Sequence, residues 1–176
     1  MADATCVLDD LGISSADVFG YSAGSYVALG MAMSTAERVH SLIIGGASNK
    51  WSGLSEGGRR LLEQGMESFV RASFESNGPL PAGQRHRQLA NDPTALIASL
   101  SGLRCTPTRE QLESFDKPTF IYVGEADPRL ESPREMAAQL PNARLVTLPG
   151  INHVEGFSRS DLILPHLISF LVEVSP

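Results

Sequence analysis

Hydrophobic positions along the chain fall into short apolar runs separated by longer segments with helical spacing. Runs typical of buried strands occupy residues 16–20, 39–45, 118–124 and 144–148. Segments with the spacing of helices occupy residues 2–11, 25–34 and 162–174, and Pro165 either starts or kinks the last of them. The sequence Leu42-Ile43-Ile44 is continuously apolar, which is typical of a strand that a parallel sheet buries on both faces.

Residues 47–116 break this alternation and contain no clear strand pattern. One helical stripe consists of Leu61, Leu62, Met66, Phe69 and Val70. The segment 78–81, which contains two prolines, ends this stripe. Asp92 followed by Pro93 predicts a capped helix through residue 100, and Thr108 fits a capping box with Gln111. We therefore predict a helical insertion at residues 50–115.

The order of strands and helices predicts an α/β fold. We expect three layers, with a mostly parallel sheet between two layers of helices. A chain of 176 residues is long enough for one domain with a substantial core. The predicted organisation is a single domain over residues 1–176, with its core at 1–49 and 116–176. Within the core, Ser132 and Glu135 predict a capping box, with Pro133 at the first helical position.

Composition narrows the range of partners and compartments. The formal net charge of −6 argues against nucleic acid and anionic membranes as partners. Cys6 and Cys105 lack metal-ligand spacing, and we interpret both as buried thiols in a reducing compartment. No apolar run approaches the roughly 20 residues that span a bilayer, and the first residues show no signal-peptide pattern. These observations predict a cytoplasmic location.

The most informative motif is Gly20-Tyr21-Ser22-Ala23-Gly24, which reads G-x-S-x-G. A β-type run precedes it and an apolar helical segment follows it. On a sharp strand-to-helix bend of this kind, a serine is held as a nucleophile. We expect both glycines where the bend brings the backbone too close to its neighbours for a Cβ atom. The alternative is an ordinary turn in which Ser22 caps the helix that follows.

A serine nucleophile needs a base, and the base needs an acid that orients it. His153 follows the last predicted strand, in what we interpret as a loop, and Asp127 follows the strand before it. Ligands and catalytic groups of open parallel sheets lie beyond the carboxyl ends of the strands. We therefore predict His153 as the base and Asp127 as the acid. Glu125 is the second candidate for the acid, and a local Asx turn is the alternative role for Asp127.

The other three histidines are weaker candidates for the base. His40 precedes a strand on the wrong side of the sheet, His86 lies in an arginine-rich polar segment, and His166 lies inside the last helix. The order of serine, acid and histidine along the chain differs from the orders in chymotrypsin and subtilisin. It is the order of the α/β-hydrolases.

The chain resembles the α/β-hydrolase superfamily, and within it the esterases, lactonases and proline-iminopeptidase-like enzymes with a single cap. The segments that carry the resemblance are 11–13, 18–24, 36–45 and 118–128, together with His153 and Phe170-Leu171. The resemblance covers most of the chain outside residues 50–115. The spacing and order of the three groups are specific to the superfamily and not to a substrate.

The resemblance implies hydrolysis of a carboxylic ester or related acyl bond in a small-molecule substrate. Ser22 would be the nucleophile, Asp127 the acid, His153 the base, and the backbone N–H of Ala23 an oxyanion donor. No metal or organic cofactor is implied. The insertion corresponds to the cap of the family, which lines the acyl pocket. The candidate substrate-binding residues are Tyr21, Trp51, Met66, Phe69 and Phe74, although apolar residues at helical spacing more often pack a core.

The chain departs from the family at its N-terminal side. The family has several strands before the nucleophile strand, whereas here only one predicted helix precedes it. The resemblance therefore implies that the loop carrying a second oxyanion donor is missing and that one edge of the first strand lacks a partner. Three interpretations stay open: an active hydrolase whose edge is covered in a homodimer, a fragment that needs an N-terminal partner chain, and a non-catalytic binding module.

Overall fold

A four-stranded parallel sheet forms the centre of the molecule. The computed structural model describes residues 2–48, 51 and 53–175, without the side chains of residues 74, 76 and 82. The strands lie side by side in chain order and are β1 (Ala16–Tyr21), β2 (Val39–Gly45), β3 (Thr119–Gly124) and β4 (Ala143–Leu148). All three pairs of neighbours are parallel, which confirms the predicted α/β fold.

Helices cover both faces of this sheet, and others form an insertion beside it. The helices of the described residues are α1 (Ala2–Asp10), α2 (Ala23–Ser34), α3 (Glu56–Glu63), α4 (Met66–Asn77), α5 (Ala82–Leu89), α6 (Pro93–Gly102), α7 (Arg109–Ser114), α8 (Glu131–Ala137), α9 (His153–Ser158) and α10 (Ser160–Val174). A 3₁₀ turn at Ala36–Arg38 joins α2 to β2. The predicted side-chain caps of α6 and α7 are present at Asp92 and Thr108.

Two hydrophobic clusters hold the helices against the sheet. On one face, Leu29 of α2 and Met136 of α8 pack with Leu42 and Ile44 of β2 in one cluster. On the other face, Ile43 belongs to a second cluster, which includes residues of α10. Successive side chains of a strand point to opposite faces, so β2 supplies both clusters. The continuous apolar run at 42–44 is explained by this burial on both faces.

Helices α3 to α6 form the predicted helical insertion between β2 and β3. They share a separate small cluster around Leu62 and Val70. The single predicted stripe is divided between two helices, because the chain turns at Gly65, whose φ of 106° suits glycine. Helix α7 differs from the other four, since its buried Leu112 belongs to the cluster on the sheet. A β-bridge between Trp51 and Cys105 joins the two ends of the insertion.

The capping box predicted at Ser132 is wrong. Helix α8 begins at Glu131, and its N-cap position, Leu130, has no side-chain cap. The turn after β3 leads directly into the helix, because the N–H of Leu130 donates to the carbonyl of Asp127 and that of Ser132 to the carbonyl of Arg129. Ser132 is therefore already helical and cannot serve as the cap.

One further local prediction is wrong, and one open alternative is decided. Cys6 is exposed on α1, whereas Cys105 is buried as expected. The last helix begins at Ser160, so Pro165 lies inside it and does not start it. Within the described residues, no helix is both long enough and apolar enough to cross a membrane.

Within the part of the chain that the structure describes, strand β1 lies at one edge of the sheet and pairs only with β2. Its Phe19 is 52% exposed, and Val7, Leu11 and Ile13 near the start of the chain are also exposed apolar residues. An uncovered apolar edge favours pairing with another chain. The expectation that a second copy or another polypeptide covers this edge stays a prediction.

Candidate active site

Ser22 lies on a strained bend between β1 and α2. Its φ of 52° is positive, and among the described residues it is the only non-glycine with a positive φ. The N–H of Ser22 donates to the carbonyl of Gly45 at 2.8 Å, which ties the bend to β2. Such a backbone conformation costs about 1–3 kcal/mol and is typical of functional sites. The Ser22 side chain makes no capping hydrogen bond to α2, so its role as an ordinary helix cap is excluded.

The two glycines of the motif have different environments. A Cβ at Gly20 would lie 2.5 Å from the carbonyl oxygen of Gly24 and 2.7 Å from the nitrogen of Ser25. A Cβ at Gly24 would meet no atom within 4 Å. The expectation that both glycines are needed for close approach therefore holds for Gly20 and is wrong for Gly24. The buried Ser25 completes the turn, since its hydroxyl lies within hydrogen-bond distance of the carbonyls of Gly20 and Gly45.

This difference gives a paired test of the turn. Gly20→Ala is expected to lower the free energy of unfolding by about 1–3 kcal/mol, because the added methyl group must displace backbone atoms. Gly24→Ala is the matched control. It is expected to raise the free energy of unfolding by up to about 1 kcal/mol, because alanine has a higher helix propensity than glycine. Urea unfolding followed by circular dichroism measures both. Equal effects of the two substitutions would contradict this account of the turn.

Ser22, His153 and Asp127 form a continuous hydrogen-bonded series. The His153 Nε2 atom lies 3.0 Å from Ser22 Oγ, and its Nδ1 atom lies 2.6 Å from Asp127 Oδ2. Each residue follows the carboxyl end of a strand: β1 for Ser22, β3 for Asp127 and β4 for His153. Because all the strands are parallel, these ends meet at one edge of the sheet. The structure brings together the three residues that the sequence predicted for this site.

The surroundings of Asp127 keep its carboxylate ionised. Burial of its side chain opposes ionisation, but the hydrogen bonds and charges of His153 and Arg129 outweigh burial and lower the pKa of Asp127 below its ordinary value. An ionised carboxylate only accepts hydrogen bonds, so His153 Nδ1–H must be the donor. In the neutral imidazole, Nε2 is then free to accept the Ser22 hydroxyl proton.

Arg129 connects this carboxylate to the helical insertion. Its backbone N–H and its Nη1 atom both donate to Asp127 Oδ1, at 2.9 and 3.0 Å. Its Nη2 atom donates to the Asn77 side-chain oxygen at 2.6 Å, at the end of α4. The bond from the Arg129 N–H to Asp127 Oδ1 is the local Asx turn that was the alternative role for Asp127, so Asp127 makes this turn as well as its contact with His153. Sequence reasoning missed the contact between Arg129 and Asn77, because these residues are 52 positions apart.

His153 is the first residue of a short helix, which corrects the prediction that it lies in a loop. Asn152 caps α9, and Asn152 and Glu155 form a reciprocal capping box. The asparagine and the glutamate three positions later were a readable signal for this helix. The Tyr21 hydroxyl also donates to the backbone carbonyl of His153 at 2.5 Å. Burial raises the pKa of Tyr21, so this hydroxyl stays protonated and remains a donor.

Two cavities open at Ser22 and His153. The larger, of about 380 Å³, is lined additionally by Tyr21, Leu80, Gln84, Arg87, Gln88, Asn91, Val154 and Phe157. The smaller, of about 190 Å³, is lined additionally by Phe69, Val70, Ser73, Asn77, Leu80, Gln88 and Val154. Both therefore lie between the sheet edge and the insertion, the larger along α5 and the smaller mainly along α4.

Only some of the predicted substrate-binding residues reach these cavities. Tyr21 and Phe69 each line one of them. Trp51 stacks on Tyr26 and packs against the sheet core, and Met66 is buried in the insertion, so neither lines a cavity at Ser22. The side chain of Phe74 lies outside the described part of the structure. Apolar packing explains Trp51 and Met66, which was the alternative that their spacing left open.

The remaining candidates are placed as follows. Ala23 is the first residue of α2, where a backbone N–H has no acceptor within the helix and is available to an oxyanion. Glu125 is exposed, and the contacts of His153 are with Asp127 instead. His40 lies within β2 at the end far from Ser22, and its Nε2 atom lies 3.0 Å from the carbonyl of Val174. His86 and His166 are exposed on α5 and α10.

Comparison with known proteins gives the class of this fold. An enol-lactonase from Burkholderia xenovorans superposes with a TM-score of 0.83 at 18% identity, over 97% of this chain and 70% of that one. A thermophilic esterase from Thermogutta terrifontis gives 0.83 at 20% identity, with the same two coverages. A Bacillus subtilis protein with the provisional name 2-succinyl-6-hydroxy-2,4-cyclohexadiene-1-carboxylate synthase is 25% identical over 200 residues, which are 99% of this chain and 72% of that protein. No family model matches the chain.

The chain has the α/β-hydrolase fold. Its relatives include hydrolases, an esterase and a lactonase. The chain spans between 66% and 74% of the length of the curated relatives. The relatives are enzymes of the α/β-hydrolase class.

Proposed function

We propose that the protein hydrolyses a carboxylic ester or a related acyl bond through Ser22, His153 and Asp127. The observation that carries the proposal is the hydrogen-bonded series from Ser22 Oγ through the imidazole to Asp127, with the serine on a backbone bend of φ 52°. A serine that only packed or capped a helix would need neither the strained bend nor the imidazole. The cavities beside Ser22 leave room for a small acyl substrate.

The reaction follows from these positions in two steps. Ser22 Oγ attacks the substrate carbonyl carbon while His153 Nε2 takes the hydroxyl proton, and the N–H of Ala23 donates to the oxyanion that forms. His153 returns the proton to the leaving alcohol, which leaves an acyl group on Ser22. Water that His153 deprotonates then attacks this acyl group and releases the acid. Asp127 holds the imidazole in the required tautomer and stabilises its cation.

A fluorophosphonate probe tests this proposal directly. Its phosphorus reacts with an activated serine and displaces fluoride, so intact-mass analysis is expected to show one adduct per chain, located on Ser22 by peptide mapping. Ser22→Ala should show no adduct. Ser55→Ala is the matched control, because Ser55 caps α3 in the insertion and should leave labelling unchanged. An unlabelled protein, or labelling that survives Ser22→Ala, would contradict a nucleophilic Ser22.

The uncovered edge of β1 supports a second candidate, a partner-dependent or non-catalytic module. Phe19 is 52% exposed on the strand that leads directly to Ser22. If the rate of labelling per chain rises with protein concentration or on adding an N-terminal partner chain, the result favours an active site that association completes. Stoichiometric labelling at a rate independent of concentration favours the self-sufficient enzyme. Absence of labelling at every concentration favours the binding module.

A further inference from the structure

The two cavities at Ser22 differ in chemistry. Besides Ser22 and His153, the smaller is lined mainly by the apolar side chains of Phe69, Val70, Leu80 and Val154, and its other lining residues, Ser73, Asn77 and Gln88, are uncharged. The larger extends along α5, where its wall carries three carboxamide side chains and one guanidinium. A substrate that reacts at Ser22 and fills both cavities would therefore have one apolar arm and one polar arm.

Arg87 gives the larger cavity a positive charge. Among the residues that the structure describes, no aspartate or glutamate lines this cavity, although the chain as a whole carries a formal charge of −6. Within the described residues, Arg87 has no hydrogen-bonded or ionic partner. Arg85, two positions earlier on the same helix, is ion-paired with Glu67 of α4. A guanidinium without a counter-ion, beside carboxamide donors, is suited to bind a carboxylate.

We propose that the substrate is an ester that carries a carboxylate, with Arg87 as the residue that recognises it. The inference rests on the proposed hydrolytic function. The carboxylate occupies the cavity along α5, where Gln84 and Asn91 supply additional donors, and an uncharged apolar group occupies the smaller cavity. Arg87 acts on binding and not on the chemical step, because it does not contact Ser22, His153 or Asp127.

Matched ester pairs test this specificity. 3-Acetoxybenzoate and phenyl acetate differ by a carboxylate on the leaving group, and phenyl hydrogen succinate and phenyl butyrate differ by one on the acyl group. The protein is expected to prefer the charged member of at least one pair in kcat/KM. Arg87→Gln should lower that preference about tenfold, mainly through KM, since a hydrogen bond to a charged group is lost. Added salt should weaken the preference in the parent protein, because the arginine is exposed.

Arg85→Gln is the matched control, because it removes the same charge from the same helix outside the cavity, and it should leave the preference unchanged. A preference that is absent, or that survives Arg87→Gln, overturns the inference while leaving hydrolysis intact. Binding of 3-acetoxybenzoate to the Ser22→Ala protein, followed by calorimetry, requires no turnover. The Kd of this ester should rise about tenfold when Arg87→Gln is added to the Ser22→Ala protein. Binding that depends on Arg87 would therefore support the specificity even if the protein hydrolysed no ester.

Discussion

Ser22→Ala is expected to lower kcat/KM for p-nitrophenyl acetate by about 10⁴-fold or more. The substitution removes the atom that forms the acyl intermediate, and the remaining groups then have no nucleophile to activate. Loss of the serine from such a hydrogen-bonded set costs as much as loss of the whole set, because the residues act as a unit. Release of p-nitrophenolate, followed at several substrate concentrations, measures the effect.

Ser22→Gly separates this chemical loss from any effect on folding. Glycine adopts a φ of 52° without strain, so this variant should unfold with a free energy about 1 kcal/mol higher than that of the parent. It should nevertheless be as inactive as Ser22→Ala. A variant of either kind that kept a tenth of the parent rate would show that ester turnover occurs elsewhere on the protein.

Asp127→Asn is expected to lower kcat by about 10⁴-fold while leaving KM nearly unchanged. An amide can donate a hydrogen bond to His153 Nδ1, which favours the tautomer whose Nε2 atom carries the proton and cannot take one from Ser22. Glu125→Gln is the matched control, since it neutralises the exposed carboxylate two positions earlier and should keep nearly full activity. Equal losses in the two variants would contradict the assignment of Asp127 as the acid.

The lowered pKa of Asp127 adds a dependence of stability on pH. The folded state binds a proton at this carboxyl less tightly than the unfolded state does, so the carboxylate stabilises the fold at pH values above its ordinary pKa. This contribution decreases as the pH falls below about 4, through the ordinary pKa and toward the folded one. The free energies of unfolding of the parent and of Asp127→Asn, measured by urea unfolding, should therefore converge as the pH falls below about 4.

Features governed by local patterns were predictable from the sequence. The C-terminal end of β2 follows from the apolar run Leu42-Ile43-Ile44, which ends at the glycine pair Gly45-Gly46. The caps of α6 and α7 follow from Asp92 and Thr108 because each cap needs only a few neighbouring residues. The meeting of Ser22, Asp127 and His153 follows from the parallel order of the strands, which directs all three to one edge.

Features that depend on distant residues or on competing signals were not predictable. The polar helix α5 has no apolar stripe, so nothing in its own sequence indicates that Arg87 faces a cavity. The capping pattern at Ser132 was overruled by the turn that begins at Asp127. The packing of Trp51 on Tyr26 depends on how the insertion returns to the core, which periodicity does not specify.

The contacts of Arg129 have a consequence for how the insertion and the acid respond to each other. One guanidinium holds Asn77 of α4 and Asp127 together, so displacing α4 alters the free energy of protonating Asp127. Thermodynamic reciprocity then requires protonation of Asp127 to alter the free energy of displacing α4 by the same amount. A ligand that holds the insertion in place must therefore bind or release a fraction of a proton in acidic solution, and the enthalpy of its binding must depend on the buffer.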